Sequence, residues 1–103
     1  MDKIINRALY ILNKYEALNN KNNLAWVAED YMAGFVGDVG DLSKLTMAKR
    51  GLRGNIKNID KLIAHELSDC LWSICVLANK YDLDIEKSFY KTMNEIEKKL
   101  NVA

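Results

Sequence analysis

The sequence predicts an all-α protein with a single domain over residues 1–103, and three observations carry that expectation. There is no proline in the 103 residues. No run alternates apolar and polar residues with the period of two that marks a half-buried strand. Apolar residues instead recur at intervals of three, four and seven, the spacing of one helix face. A chain of this length has room for one core and buries only a modest fraction of its surface on folding, so self-association would add burial.

The first helix is expected over about residues 2–18, where Ile4, Ala8, Ile11, Leu12 and Tyr15 share a face. The asparagine- and lysine-rich stretch 19–23 breaks it. A longer helix follows over about residues 24–49, with Tyr31, Phe35, Leu42 and Leu45 as its stripe, and the basic, glycine-containing stretch 49–57 ends it. Asn58 or Asp60 can accept a hydrogen bond from the free N–H groups of a third helix. That helix carries Ile59, Leu62, Ile63, Cys70, Leu71, Ile74 and Leu77 and reaches about Lys80. Asp84 caps the last helix, whose stripe is Ile85, Phe89, Met93, Ile96 and Leu100. Lys98 and Lys99 suit the negative C-terminal end of its dipole.

Half of the residues are apolar and 28% are charged, which excludes a disordered or low-complexity chain. A net charge of +1 gives no basic surface for a nucleic-acid polymer and no polybasic patch for a membrane. The N-terminal segment mixes charged and apolar residues, unlike a signal peptide, and no segment approaches the roughly 18 consecutive apolar residues of a membrane span. The cytoplasm is the expected compartment. Cys70 and Cys75 lie about 140° apart on a helix, too divergent for an easy bridge, and read as buried small hydrophobes in a reducing environment.

The chemistry lies in acids on apolar faces. Along the second helix, with Asp38 at zero, Tyr31, Leu42 and Phe35 fall within about 60° on one side and Asp41 about 60° on the other. Along the third, with Glu66 at zero, Ile59, Cys70 and Leu77 fall within about 40° and Asp69 again about 60° away. Each helix thus presents an acid pair at i and i+3, where side chains are neighbours, on the face that should turn inward. Two unit charges about 6 Å apart repel by about 3 kcal/mol at an effective dielectric of 20, and desolvation adds several kcal/mol per ion. Summed, this is a large share of the roughly 5–15 kcal/mol that holds a domain together. A divalent cation compensates most economically, and an all-carboxylate set favours Mg²⁺, with Mn²⁺ second, over zinc. The alternative is that the acids line a solvated groove as ordinary surface charge.

GDVGDLSKL at 37–45 and HELSDCLWSICVLANKYDLDIEKSF at 65–89 resemble the MazG-like nucleotide pyrophosphohydrolases, whose signature is Glu-Glu-x-x-Glu on one helix and Glu-x-x-Asp on the next. Asp38 and Asp41 stand at the second and third acids of the first motif, and Glu66 and Asp69 at the second motif. The match extends from about Trp26 through the last helix. Gly37 departs from it, standing where the first Glu belongs, so the metal shell is tighter or lacks one ligand. The resemblance implies a four-helix MazG-like bundle completed by dimerisation, as a homodimer or homotetramer. It also implies Mg²⁺-dependent hydrolysis of a nucleoside triphosphate to monophosphate and pyrophosphate, a housecleaning activity on the nucleotide pool. Asp38, Asp41, Glu66 and Asp69 would be both metal ligands and catalytic residues, with Glu66 orienting or deprotonating the attacking water.

The resemblance also makes Lys91 and Asn94 candidates for phosphate or sugar contacts, against the alternative of ordinary exposed helix residues. Trp26 is a candidate for stacking on a base, or else a core or interface residue. Trp72 lies off the acid face and reads as packing or dimer contact. Lys49, Arg50, Arg53 and Lys57, with Gly51 and Gly54, form either a solvated loop or a phosphate-approaching one. Gly34, Gly37 and Gly40 recur every three residues, a strip that would admit close helix or subunit approach and so offset the roughly 1 kcal/mol each costs the helix. His65-Glu66-x-x-Asp69 is superficially like the His-Glu-x-x-His zinc peptidase motif, but His65 is the only histidine and is expected to pair with Asp69. Within the same superfamily, phosphoribosyl-ATP pyrophosphohydrolase and dUTPase-like activities stay open. The alternative of a different class is a non-catalytic helical homodimer that binds Mg²⁺ or nucleotide as an accessory or regulatory module, favoured by Gly37.

Overall fold

The computed structural model describes residues 1–52 and 54–102, and they form four helices with no β-strand among them: α1 (Asp2–Lys21), α2 (Ala28–Lys49), α3 (Ile59–Lys80) and α4 (Ile85–Val102). Arg53, one of the four residues of the basic run, lies outside the described residues.

Three of the helices end in the same way. Asn23, Gly51 and Asp82 take left-handed φ values of 58°, 82° and 54° just past α1, α2 and α3. The following N–H reaches back five residues in each case: Leu24 to the Asn19 carbonyl at 2.7 Å, Leu52 to Met47 at 3.0 Å, and Leu83 to Ala78 at 2.8 Å. This satisfies carbonyls that the helix leaves free and turns the chain sharply. Asparagine and aspartate do at two of these corners what glycine does at the third.

These ends revise two expected boundaries. Residues 19–21 belong to α1, because the helix stops only at the left-handed Asn23, and α2 starts at Ala28 rather than Leu24. At that start the Asp30 carboxylate accepts the Val27 N–H at 2.8 Å, half of a capping box. Asn58 does precede α3, but its backbone is left-handed, with a φ of 58°, and it makes no side-chain cap. Asp84 caps α4 as expected, its Oδ1 accepting the Lys87 N–H at 3.0 Å.

Packing is concentrated where α2 and α1 lie against α3. An ion pair joins Lys49 to Asp60, near the hairpin turn, while Tyr31 and Trp72 meet near its open end with ring centroids 6.2 Å apart, so α2 and α3 are antiparallel. Trp72 Nε1–H donates to the Ala8 carbonyl at 3.0 Å and Lys80 donates to Glu16, so α1 and α3 run in the same direction. Leu12, Tyr31 and Val76 are the centre of the core, with Leu9, Trp72 and Leu77 packed around them. Cys70 and Cys75 are both free and buried.

The fourth helix stands apart. Residues 87–101 are all exposed, Phe89, Met93, Ile96 and Leu100 of its apolar stripe included. The radius of gyration, 16.9 Å, exceeds the roughly 13 Å of a compact domain of this length. Four helices are therefore present, but within one chain they do not close around α4. The glycine strip is likewise unpartnered within the chain, since a Cβ at Gly34, Gly37 or Gly40 would meet nothing within 4 Å. Gly37→Ala is accordingly expected to raise the stability of the isolated chain by up to about 1 kcal/mol in urea denaturation. A loss would mean that a second copy lies against this face.

Candidate metal centre

The antiparallel hairpin brings the two acid pairs face to face at the middle of α2 and α3. They gather as two overlapping groups of three. Carboxylate oxygens of Asp38, Asp41 and Glu66 lie within 4.8 Å of one another, and so do ligand atoms of His65, Glu66 and Asp69. Glu66 belongs to both. His65 and Asp69 form the expected pair one turn apart on α3, with Nε2 3.2 Å from Oδ2.

The inward placement expected from the periodicity holds in part: Asp38, Glu66 and Asp69 are half-buried and Asp41 is exposed. Burial, then the charges of Asp69, Asp41 and Asp38, pushes the Glu66 carboxyl above its ordinary range, with His65 opposing. Burial, then Asp69 and Asp41, does the same to Asp38. The Cys70 thiol is pushed up by burial and by the three acids Asp38, Glu66 and Asp69, and so stays protonated. Among the described residues only the charge of His65 opposes the repulsion at Asp38 and Glu66, and Glu66 Oε2 is buried with no hydrogen-bond partner among them. Such an orphaned acceptor calls for a partner.

A divalent cation fits these residues. Oxygens bound to one Mg²⁺ at about 2.1 Å lie roughly 3–4 Å apart, so a separation of up to 4.8 Å closes with small side-chain rotations. The donor set is all oxygen in the Asp38, Asp41 and Glu66 group, which suits Mg²⁺ or Mn²⁺.

The raised proton affinity of Glu66 makes a sign prediction. A carboxyl whose folded pKa exceeds its unfolded value contributes stability below about pH 4.5 that is lost as pH rises through the folded value. Without divalent cations, Glu66→Gln should therefore melt progressively higher relative to the parent as pH rises from about 4 to 7. With Mg²⁺ the order should reverse, because the parent alone keeps a full ligand set. Thermal melts of both proteins, with chelator and with Mg²⁺, check this.

Beside the acids lies a cleft of about 600 Å³, within the range of small-molecule sites. Asp38, Ser68 and Asp69 line it on the acid side, and Tyr15, Trp26, Tyr31 and Trp72 supply aromatic walls, with Asn19 among them. Trp26 stands half exposed, edge-on to Tyr31 with centroids 5.3 Å apart. Trp72 packs within the chain, edge-on to Tyr15 at 5.6 Å, and so serves both as packing and as cleft wall. The Tyr31 hydroxyl is buried without a hydrogen-bond partner. Its pKa is pushed up by burial and by Glu16, against Lys80, whose ammonium lies 5.5 Å from the ring centroid.

Of the residues singled out from the sequence as site residues, Asp38, Asp69 and Trp26 thus line one cleft, and Asp41 and Glu66 gather with the other acids beside it. Lys91 and Asn94, both exposed on α4, do not line it. Tyr15, Asn19, Tyr31 and Trp72 were not foreseen as site residues. In the sequence Tyr15 and Tyr31 read as apolar-stripe residues of α1 and α2, Trp72 as packing or dimer contact, and Asn19 as part of a helix-breaking stretch. No protein-family model, no curated protein and no solved structure matches this chain.

Proposed function

We propose that this chain is a Mg²⁺-dependent nucleoside triphosphate pyrophosphohydrolase of the MazG-like kind, releasing monophosphate and pyrophosphate. The observation that carries the reading is the convergence of Asp38, Asp41 and Glu66, with an orphaned Glu66 oxygen, at the edge of an aromatic cleft that Asp38 itself lines. Bare carboxylates would repel a triphosphate; when bound, Mg²⁺ supplies the charge that binds phosphate oxygens and acidifies water.

The chain's own residues do the rest. Asp38, Asp41 and Glu66, with Asp69 beside them, would hold the cation. Glu66, through a carboxylate oxygen not used as a ligand, would orient the attacking water or accept its proton. The aromatic walls hold the base by its faces and keep water from it, and the Asn19 amide offers both a donor and an acceptor to a base edge. Stacking on Trp26 predicts that Trp26→Ala raises KM about tenfold or more with a smaller effect on kcat, read from initial rates. The exposed stripe of α4 supports assembly as a dimer or a pair of dimers, and the two free cysteines suit the reducing cytoplasm, where free triphosphates are available.

Gly37 favours the second reading, a helical homodimer that binds Mg²⁺ or nucleotide without turnover. A Cβ at this position meets nothing, so packing does not forbid the missing acid. One assay separates the two. Purified protein with Mg²⁺ is offered canonical, deoxy and damaged triphosphates, and pyrophosphate release is followed. Release from at least one is expected; nucleotide binding without release from any would establish the accessory module instead.

A further inference from the structure

We propose that the Tyr31 hydroxyl selects the substrate class at this site, donating a hydrogen bond to a carbonyl at the far edge of the bound base. Uracil and guanine, which carry a carbonyl at that edge, are then preferred to cytosine and adenine, which carry an amino group in its place. The inference rests on the nucleotide reading above and narrows it.

Tyr31 is 4% exposed, lines the cleft, and has its hydroxyl buried with no hydrogen-bond partner among the described residues. Buried tyrosine hydroxyls are ordinarily partnered, because taking the group out of water without a partner costs free energy. The two carboxylates whose charge the phenol feels are engaged elsewhere, Glu16 with the Lys80 ammonium and Asp30 with the Val27 N–H. Lys80 itself lies over the ring, 5.5 Å from its centroid. The hydroxyl is therefore separate from the acid cluster and is not consumed by the cation proposed there.

Its place along α2 suits the edge of a base. Tyr31 and Asp38 are seven residues apart, so they share one face and stand two turns apart, about 10.5 Å along the axis. That is the reach of a nucleotide from its phosphates to the far edge of its base. With the phosphates on a cation at Asp38, the base lies between the aromatic walls and its edge falls beside Tyr31 and Asn19, which both line the cleft. Trp26, half exposed and edge-on to the Tyr31 ring at 5.3 Å, is the wall that turns to admit it.

The direction of the bond follows from phenol chemistry. A phenol oxygen shares its lone pairs with the ring, so the group donates better than it accepts. Burial, then the charge of Glu16, keeps its proton in place against Lys80. A carbonyl satisfies that donor, whereas an amino group leaves the proton unpaired. Asn19 does not discriminate, because its amide can turn to accept from a ring N–H or donate to a bare ring nitrogen.

Tyr31→Phe tests this by stability and by binding. Removing a hydroxyl that has no partner in the fold should leave the melting temperature of the ligand-free protein equal to the parent's or higher. Binding is read by calorimetry with Mg²⁺ and the α,β-imido triphosphates of uridine, guanosine, cytidine and adenosine, which resist cleavage between the α and β phosphates. The parent should bind the uridine and guanosine forms about tenfold or more tightly than the other two. Tyr31→Phe should lose about tenfold for those two and stay near the parent for cytidine and adenosine. No binding of any of the four, no preference in the parent, an equal loss for all four or none for uridine and guanosine, or a lowered melting temperature would overturn the proposal. Because binding alone is read, a preference lost in Tyr31→Phe in a protein that releases no pyrophosphate would sink the hydrolase reading and leave this one standing. Pyrophosphate release by the parent with nucleotide binding unchanged in Tyr31→Phe would do the reverse.

Discussion

Glu66→Gln is expected to abolish pyrophosphate release, lowering kcat by about 10³-fold or more, while leaving helix content intact. The size of the effect follows from the position of Glu66 in both ligand groups and from its buried, unpartnered Oε2. Glutamine keeps the shape but removes the charge that holds a cation and the lone pair that takes a proton. Folding should not suffer, because an amide among Asp38, Asp41 and Asp69 offers N–H donors to oxygens that otherwise repel their neighbour. Asp69→Asn should give a comparable loss, since Asp69 lies in one ligand group and also lines the cleft. Steady-state kinetics with circular dichroism on each variant check both; turnover close to the parent's would place the site elsewhere.

The largest stability effect is expected from Leu12→Ala, about 2–5 kcal/mol in urea denaturation. Leu12 is 2% exposed and is one of the three residues at the centre of a small core, with Tyr31 and Val76. Its loss would leave a cavity on the face by which α1 holds α3, where the Trp72 to Ala8 hydrogen bond and the Lys80 to Glu16 pair also act. Against a total of roughly 5–15 kcal/mol, such a loss unfolds a substantial fraction of the chain or detaches α1. The cleft has its Tyr15 and Asn19 wall on that helix, so a folded remnant should also bind nucleotide more weakly. A change below about 1 kcal/mol would mean that α1 contributes little to the core.

What was legible in the sequence was whatever one helix decides alone. Asp38 on α2, and Glu66 and Asp69 on α3, could be placed toward the helix contact by period alone, and the antiparallel hairpin then brought them together with Asp41, which stays exposed. Asp84 could be read as a cap because its oxygen serves an N–H three residues on. Asn58 could not be excluded as one, because its left-handed backbone is set by the turn before α3. The aromatic cleft depends on how α1 rotates against α3, a tertiary choice that no single stripe contains. Tyr15 reads as part of the apolar stripe of α1 and Trp72 as packing or dimer contact off the acid face of α3, and they become neighbours only through that contact. The stripe on α4 reads as a buried face, yet within one chain Phe89, Met93, Ile96 and Leu100 meet solvent, because amphipathicity says that a face needs cover and not what supplies it.

The most direct test of the central claim is phosphorus NMR of the protein incubated with a nucleoside triphosphate, with Mg²⁺ or with chelator. Monophosphate and pyrophosphate appearing in equal amounts with Mg²⁺ alone, and from the parent but not Glu66→Gln, is the predicted result. Diphosphate and orthophosphate as products, or the same conversion in chelator, would contradict the account.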